Sequence, residues 1–339
     1  GNLGGGGFMT IRLADGRKTF LDFREKAPLA AKPDMYLDGD GNVVEGASTQ
    51  GHRAVAVPGT VSGLELARAK YGTLPRAALI APAIRHARDG FVLEQGDIDM
   101  LVTATADFRK DPASAAIFLD AGEPFAPGQR LVQKDLAATL QQIADQGEAG
   151  FYKGRVGGQI VASSRAGGGW ITQADLDAYR TRELRPVECS YRGYGIVSAP
   201  PPSSGGVAIC EILNILEGYP LKGLGFRSAQ AVHYQIEAMR HAYVDRNSYL
   251  GDPDFVRNPT ERLLDKAYAG RIRAVIDPNK AGVSKDIQPG VPPHEGANTT
   301  HYSIVDRWGN AVAVTYTLND WFGAMATAAG TGVLLNNEM

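Results

Sequence analysis

Cysteine is scarce: Cys189 and Cys210 are the only two in 339 residues, so the fold carries one disulfide at most and no thiolate cluster. Cys210 sits in an apolar helical pattern, which predicts a buried free thiol and leaves the compartment open. Long hydrophobic runs are also missing. A stretch such as Ala77 to Ile84 falls far short of the ~18 residues a membrane helix needs, and Pro82 interrupts it. Nor is there an excess of charge of one sign. Lys+Arg 35 against Asp+Glu 37 gives a net charge of −2, and without a basic stripe duplex binding is not the leading idea. The six histidines are scattered without metal-ligand spacing, and no Gly-x-Ser-x-Gly elbow occurs. The run Gly4 to Gly7 lacks a following Lys-Ser/Thr and precedes a strand, which argues against a phosphate loop. Nothing in these patterns implies a metal or a cofactor.

What is present is an ordinary globular composition, 44% hydrophobic and 21% charged, long enough for one large domain or two smaller ones. Glycine is the exception: 41 residues, about 12% against a usual level of about 7%. The clusters Gly4 to Gly7, Gly167 to Gly169 and Gly205-Gly206 predict tight turns or close backbone approach.

Along the chain, Phe8 to Leu13 and Lys18 to Phe23 read as strands around the hairpin signal Ala14-Asp-Gly-Arg17. From about 62 to 275 the pattern is mostly helical. Leu136, Leu140 and Ile143 follow i, i+4, i+7 spacing, and Thr172-Gln-Ala-Asp175 reads as a capping box with Asp in place of Glu. Helices are expected at about 207 to 217 and, from the N-cap Ser228, at 228 to 247. Pro200-Pro-Pro-Ser-Ser-Gly-Gly206 reads as a rigid turn feeding the first of these. Asp277 to Asn298 reads as an exposed connection. Strands return at Thr299 to Val305 and Ala311 to Leu318, with Val312, Val314 and Tyr316 on one face of the second. Strands at both ends with helices between make an α+β pattern without βαβ alternation or internal repeats. Gly1 and the apolar run ending at Met339 predict a piece of a larger protein.

A polar connection meeting Thr299-Thr300 suggests cleavage before a hydroxyl residue. A freed N-terminal Thr carries nucleophile and base together, because its α-amine, with a pKa of about 7.7 to 8.0, can take the hydroxyl proton. On spacing alone the signal is weak. Asn298-Thr299-Thr300 is also an ordinary turn into a strand and matches the N-glycosylation sequon. His301 shares a face with Thr299, although a packed histidine is the expectation there.

Taken together and in order, seven segments carry a family resemblance: Gly1-Asn-Leu-Gly-Gly-Gly-Gly-Phe8, Asp22-Phe-Arg-Glu-Lys-Ala-Pro28, Val57-Pro-Gly-Thr-Val-Ser-Gly-Leu64, Pro200 to Gly206, Tyr249-Leu-Gly-Asp-Pro-Asp-Phe255, Asn298-Thr-Thr-His-Tyr302 and Leu334-Leu-Asn-Asn-Glu-Met339. The chain resembles gamma-glutamyltranspeptidases over essentially its whole length. That resemblance implies an N-terminal-nucleophile αββα sandwich. It also implies a proenzyme cut between Asn298 and Thr299 into a large-subunit portion, 1 to 298, and the start of a small subunit, 299 to 339. By the same match any secretion signal, the lid, the paired serines and the Gly-Gly oxyanion hole lie outside these residues, and the location is periplasmic or secreted.

Matched residue by residue, the resemblance makes Thr299 the nucleophile and Thr317 the hydroxyl that orients it. It assigns Arg24 to the donor α-carboxylate, for which a guanidinium fork is suited, and Asn319 with Glu338 to the donor ammonium. It implies no cofactor. The partners it implies are glutathione or another γ-glutamyl compound, an amino-acid or peptide acceptor, and the second subunit. The sequence departs from the family pattern at Asp320-Trp321 and from Ala324 to Thr331, so Trp321 is expected either to shape the acceptor side or merely to pack on the core. The alternatives are a glutaryl-cephalosporin-type acylase of the same superfamily and an unprocessed homologue acting as a binding protein.

Overall fold

The computed structural model describes residues 2 to 283 and 299 to 339. Asn298 and most of the expected connection from 277 onward lie outside the described residues. The strands are β1 (Gly6–Arg12), β2 (Lys18–Asp22), β3 (Phe91–Val92), β4 (Arg130–Leu131), β5 (Arg182–Leu184), β6 (Val187–Tyr191), β7 (Tyr194–Ser198), β8 (Thr300–Val305), β9 (Ala311–Thr317), β10 (Thr327–Ala328) and β11 (Val333–Leu334). The helices are α1 (Thr60–Tyr71), α2 (Arg76–Asp89), α3 (Gln95–Phe108), α4 (Pro112–Phe118), α5 (Lys134–Gln146), α6 (Ala149–Tyr152), α7 (Gly154–Ala166), α8 (Gln173–Ala178), α9 (Gly205–Glu217), α10 (Leu221–Leu224), α11 (Ala229–Tyr249), α12 (Thr260–Leu263) and α13 (Lys266–Val275). The expected α+β class is the one observed.

One five-stranded sheet, ordered β5-β2-β1-β9-β8, organises the molecule, and every pairing in it is antiparallel. The β1–β2 turn closes where Asp15-Gly16 predicts it: the Leu13 N–H donates to the Arg17 carbonyl at 2.8 Å, and Gly16 takes φ +90°. Alternation along the strands gives the sheet two different faces. Met9, Ile11, Leu21 and Val314 are buried on one, against Leu66, Ala67 and Tyr71 of α1. Phe8, Asp22, Thr315 and Thr317 belong to the other. β8, exposed along its whole length, is one of the sheet's two edge strands among the described residues, β5 being the other.

The leading glycines are there for close approach. A Cβ on Gly5 would stand 1.9 Å from the Thr317 carbonyl oxygen, and one on Gly4 2.1 Å from that of Leu334. A side chain at either place would push β1 away from β9 and the C-terminal segment. That segment is buried: Ala326, Val333 and Leu335 join Val61, Ile143, Phe151, Val156, Ile160 and Leu176 in a core drawn from α1 and α5 to α8. The helix signals hold as well. Thr172 and Asp175 cap α8 reciprocally, and Ser228 Oγ accepts from the Ala231 N–H at 3.2 Å to start α11.

One expectation holds with an exception and one is overturned. The stretch read as mostly helical contains the β6–β7 hairpin, whose two-residue loop Arg192-Gly193 has φ +49° and +88°, the twist that suits a tight hairpin. The hairpin lays Cys189 of β6 against α9, and Cys189 and Cys210 form a disulfide with Cα atoms 6.0 Å apart instead of a free buried thiol. The helical pattern around Cys210 showed its burial but could not show a partner 21 residues earlier. Closing a loop of that length removes about 3 kcal/mol of chain entropy from the unfolded state.

Candidate active site

The register of the sheet assembles the expected residues. Phe23 and Gly7 exchange backbone hydrogen bonds of 3.0 and 3.2 Å, which extends the β1–β2 pairing one step and sets Arg24 beside Gly6. Gly6 lies opposite Thr317, and the pair Thr300 with Tyr316 continues by one residue to bring Thr299 beside Thr317. Arg24, Gly6, Thr317 and Thr299 therefore form one row across the sheet, and aligned residues of an antiparallel pair project to the same side.

Over this row stands an ion pair. Arg24 Nη2 donates to Glu338 Oε2 at 2.8 Å, with the arginine side chain 49% exposed and the glutamate 9%. The guanidinium also stands 5.9 Å from the centroid of the Phe8 ring. Glu338 reaches the row because the fully buried Asn336 anchors its segment. The Asn336 amide donates to the Gly4 and Ala56 carbonyls at 2.7 and 2.8 Å, and its Oδ1 accepts from the Ala56 and Glu338 N–H groups. Asn319 completes the group. Its amide donates to the Asn337 carbonyl at 3.1 Å, and its N–H donates to Thr317 Oγ1 at 2.8 Å. It takes φ +78°, an uncommon value for a residue other than glycine and one that asparagine tolerates best.

The gamma-glutamyltranspeptidase family model matches residues 1–339. The chain belongs to this family. It is 73% identical to a glutathione hydrolase proenzyme of Pseudomonas sp. (strain A14), over 100% of the chain and 59% of that protein. It is 43% identical to an acylase ACY 1 proenzyme of Pseudomonas sp. (strain V22), over 99% of the chain and 61% of that protein. The chain thus spans about three-fifths of the length of these relatives. The crystal structure of the Helicobacter pylori gamma-glutamyltranspeptidase superposes with a TM-score of 0.83 at 45% identity, covering 88% of this chain and 86% of that one.

Within this family framework the structure adds a residue that the sequence did not single out. Glu25, next to Arg24, turns its carboxyl back over Gly6, where a Cβ would meet its Oε2 at 2.7 Å. Its Oε1 is sealed from water without a partner. Burial, and after it the Glu338 carboxylate, pushes the Glu25 pKa up to about 8, so Glu25 is a neutral acid beside an ionic pair at pH 7. Its adjacency to Arg24 was the signal, but alternation along a strand would have turned it to the other side.

Two expectations on neighbouring residues change. His301 is exposed rather than packed, with Nδ1 2.7 Å from Thr315 Oγ1 and Nε2 3.3 Å from Ser303 Oγ. Trp321 is 63% exposed, so the reading in which it merely fills the core fails. The next ring, Phe322, fills that role by packing on Phe108 at 5.1 Å and Phe118 at 6.4 Å. Ser204 Oγ accepts from Arg246 Nε at 2.9 Å at the start of α9, in keeping with a turn rather than a nucleophile.

Proposed function

We propose that the full-length protein is a gamma-glutamyl hydrolase and transferase acting on glutathione and related compounds, made as a precursor that cuts itself between Asn298 and Thr299 into two subunits. The freed Thr299 hydroxyl attacks the γ-amide carbonyl while its own α-amine takes the proton. That proton passes to the leaving amine as the tetrahedral adduct collapses, and a γ-glutamyl ester on Thr299 remains. Water or an acceptor amine then adds to the ester, and the alkoxide leaves as the Thr299 hydroxyl. Thr317, beside Thr299 in the row, orients the nucleophile.

The Arg24–Glu338 pair is the observation that carries this reading. In the free protein the two charges neutralise each other. A γ-glutamyl donor is a zwitterion at its α-carbon, so it exchanges one ion pair for two: its carboxylate meets Arg24, and its ammonium meets Glu338 and Asn319. The 43% identity to an acylase proenzyme favours a second reading, hydrolysis of a glutaryl amide without the ammonium. A carboxylate at Glu338 argues against it, since it would face the donor with no charge to meet. γ-Glutamyl-p-nitroanilide is expected to outpace glutaryl-p-nitroanilide, and Glu338→Ala to cut that preference at least about tenfold. Wild-type preference for the glutaryl amide would establish the acylase instead.

Trp321, exposed two residues beyond Asn319, forms part of the acceptor side. Covering part of an indole contributes ~1 kcal/mol, so Trp321→Ser is expected to lower the transfer-to-hydrolysis ratio about fivefold with a dipeptide acceptor. An unchanged ratio removes Trp321 from the acceptor site. A location outside the reducing cytoplasm, periplasmic or secreted, is supported by the Cys189–Cys210 disulfide. No helix among the described residues is long and apolar enough to cross a membrane.

A further inference from the structure

Arg24 has a half-exposed side chain, so the aim of its guanidinium depends on how firmly its main chain is held. Both of its backbone polar groups are taken by buried side chains. The Arg24 N–H donates to Asp22 Oδ1 at 3.1 Å, and its carbonyl accepts from Tyr179 Oη at 2.8 Å. Asp22 and Tyr179 are each only 5% exposed.

Each of these side chains is itself braced from a different element. Asp22 faces Arg182 directly across the β2–β5 pairing, and Arg182 grips its Oδ2 through Nε at 3.2 Å and Nη2 at 2.9 Å. The remaining arm of Arg182 reaches Asp254 Oδ1 at 2.8 Å. Tyr179 follows α8 and stacks on Tyr152 with ring centroids 5.8 Å apart and planes 4° from parallel. The Tyr152 hydroxyl in turn donates to the Pro58 carbonyl at 2.9 Å. The next residue, Gly59, is a glycine because a Cβ there would stand 2.1 Å from Tyr179 Oη and 2.0 Å from the Phe23 carbonyl oxygen. Burial pushes the Tyr179 pKa up, so the phenol stays a donor throughout the working range.

We propose that Asp22 and Tyr179 are positioning residues that clamp the main chain of Arg24 from both sides and thereby set the affinity for the donor α-carboxylate without touching the donor. This rests on the assignment of Arg24 to that carboxylate. Tyr179→Phe removes a single hydroxyl and leaves a buried carbonyl unpaired, while Arg182→Gln leaves Asp22 as a buried charge without its cation.

The experiment uses the processed, full-length protein with γ-glutamyl-p-nitroanilide. Each variant is expected to raise KM about fivefold or more with kcat within about twofold of wild type, because uniform binding is what is lost. A double-mutant cycle supplies the readout that a merely structural role would not move. In an Arg24→Lys background, where the fork is already gone, Tyr179→Phe should add less than about twofold to KM. An unchanged KM in Tyr179→Phe, or an undiminished increase on top of Arg24→Lys, overturns the clamp. A wild-type protein that binds and turns over no γ-glutamyl amide overturns the functional reading instead, and the two failures are distinct.

Discussion

Thr299→Ala is expected, on the proposed mechanism, to leave the precursor as a single uncut band on denaturing electrophoresis and to lower γ-glutamyl amide turnover by about 10⁴-fold or more. The effect is this large because one residue performs three tasks. On the proposed mechanism its hydroxyl makes the cut that frees it, its α-amine becomes the base, and the same hydroxyl then attacks the donor. Alanine removes the hydroxyl, so the amine is never released. Thr299 is exposed at the head of β8, and the register of the sheet sets it beside Thr317 in the row that holds Arg24. Thr299→Ser keeps the nucleophile and is expected to keep cleavage, although without the methyl group that restricts the χ1 rotamer. Two bands from Thr299→Ala would show that the cut and the nucleophile lie elsewhere.

Glu25→Gln is expected to stabilise the protein increasingly as pH rises from about 4.5 to 8. In the folded protein Glu25 stays protonated until about 8, whereas its unfolded value is near 4.5. Between those values the unfolded state has released a proton that the folded state still holds, so ionisation favours unfolding and wild-type stability falls as pH rises. Below 4.5 both states are protonated and the penalty is absent. Above 8 both are ionised and the full penalty persists. Glutamine resembles the neutral acid in shape and does not titrate, so the gap between Glu25→Gln and wild type should open across this window to on the order of 5 kcal/mol. Thermal unfolding of both proteins at pH 4.5, 6 and 8.5 measures the gap, and Tm values that run parallel would show that Glu25 ionises normally.

The chain announces what is local. Asp15-Gly16 closes the first hairpin, Thr172 with Asp175 caps α8, Ser228 starts α11, and Pro200 to Gly206 leads into α9, all where the residues place them. Each rests on backbone geometry within a few residues, where side-chain chemistry has few alternatives. The family segments named the candidate site in the same way, residue by residue. Signals that depend on a distant partner were not legible. The Arg192-Gly193 turn was present in the sequence, but it was lost among helical neighbours, and with it the disulfide that joins β6 to α9. His301 and Trp321 gave no sign of their exposure, because exposure depends on what packs above a residue rather than on its neighbours in sequence.

By itself, then, the sequence determined many of the elements, the α+β class, the family and the list of candidate residues, since spacing and local chemistry are written along the chain. Only the tertiary structure decided how those residues meet. The antiparallel register placed Gly6 and Arg24 from the start of the chain in one row with Thr299 and Thr317 from near its end. It also bent Glu25 over a glycine that has no side chain to stop it, and closed Asp22 and Tyr179 on the backbone of Arg24. Pairing across strands depends on packing the whole sheet at once, and no short window of sequence contains that information.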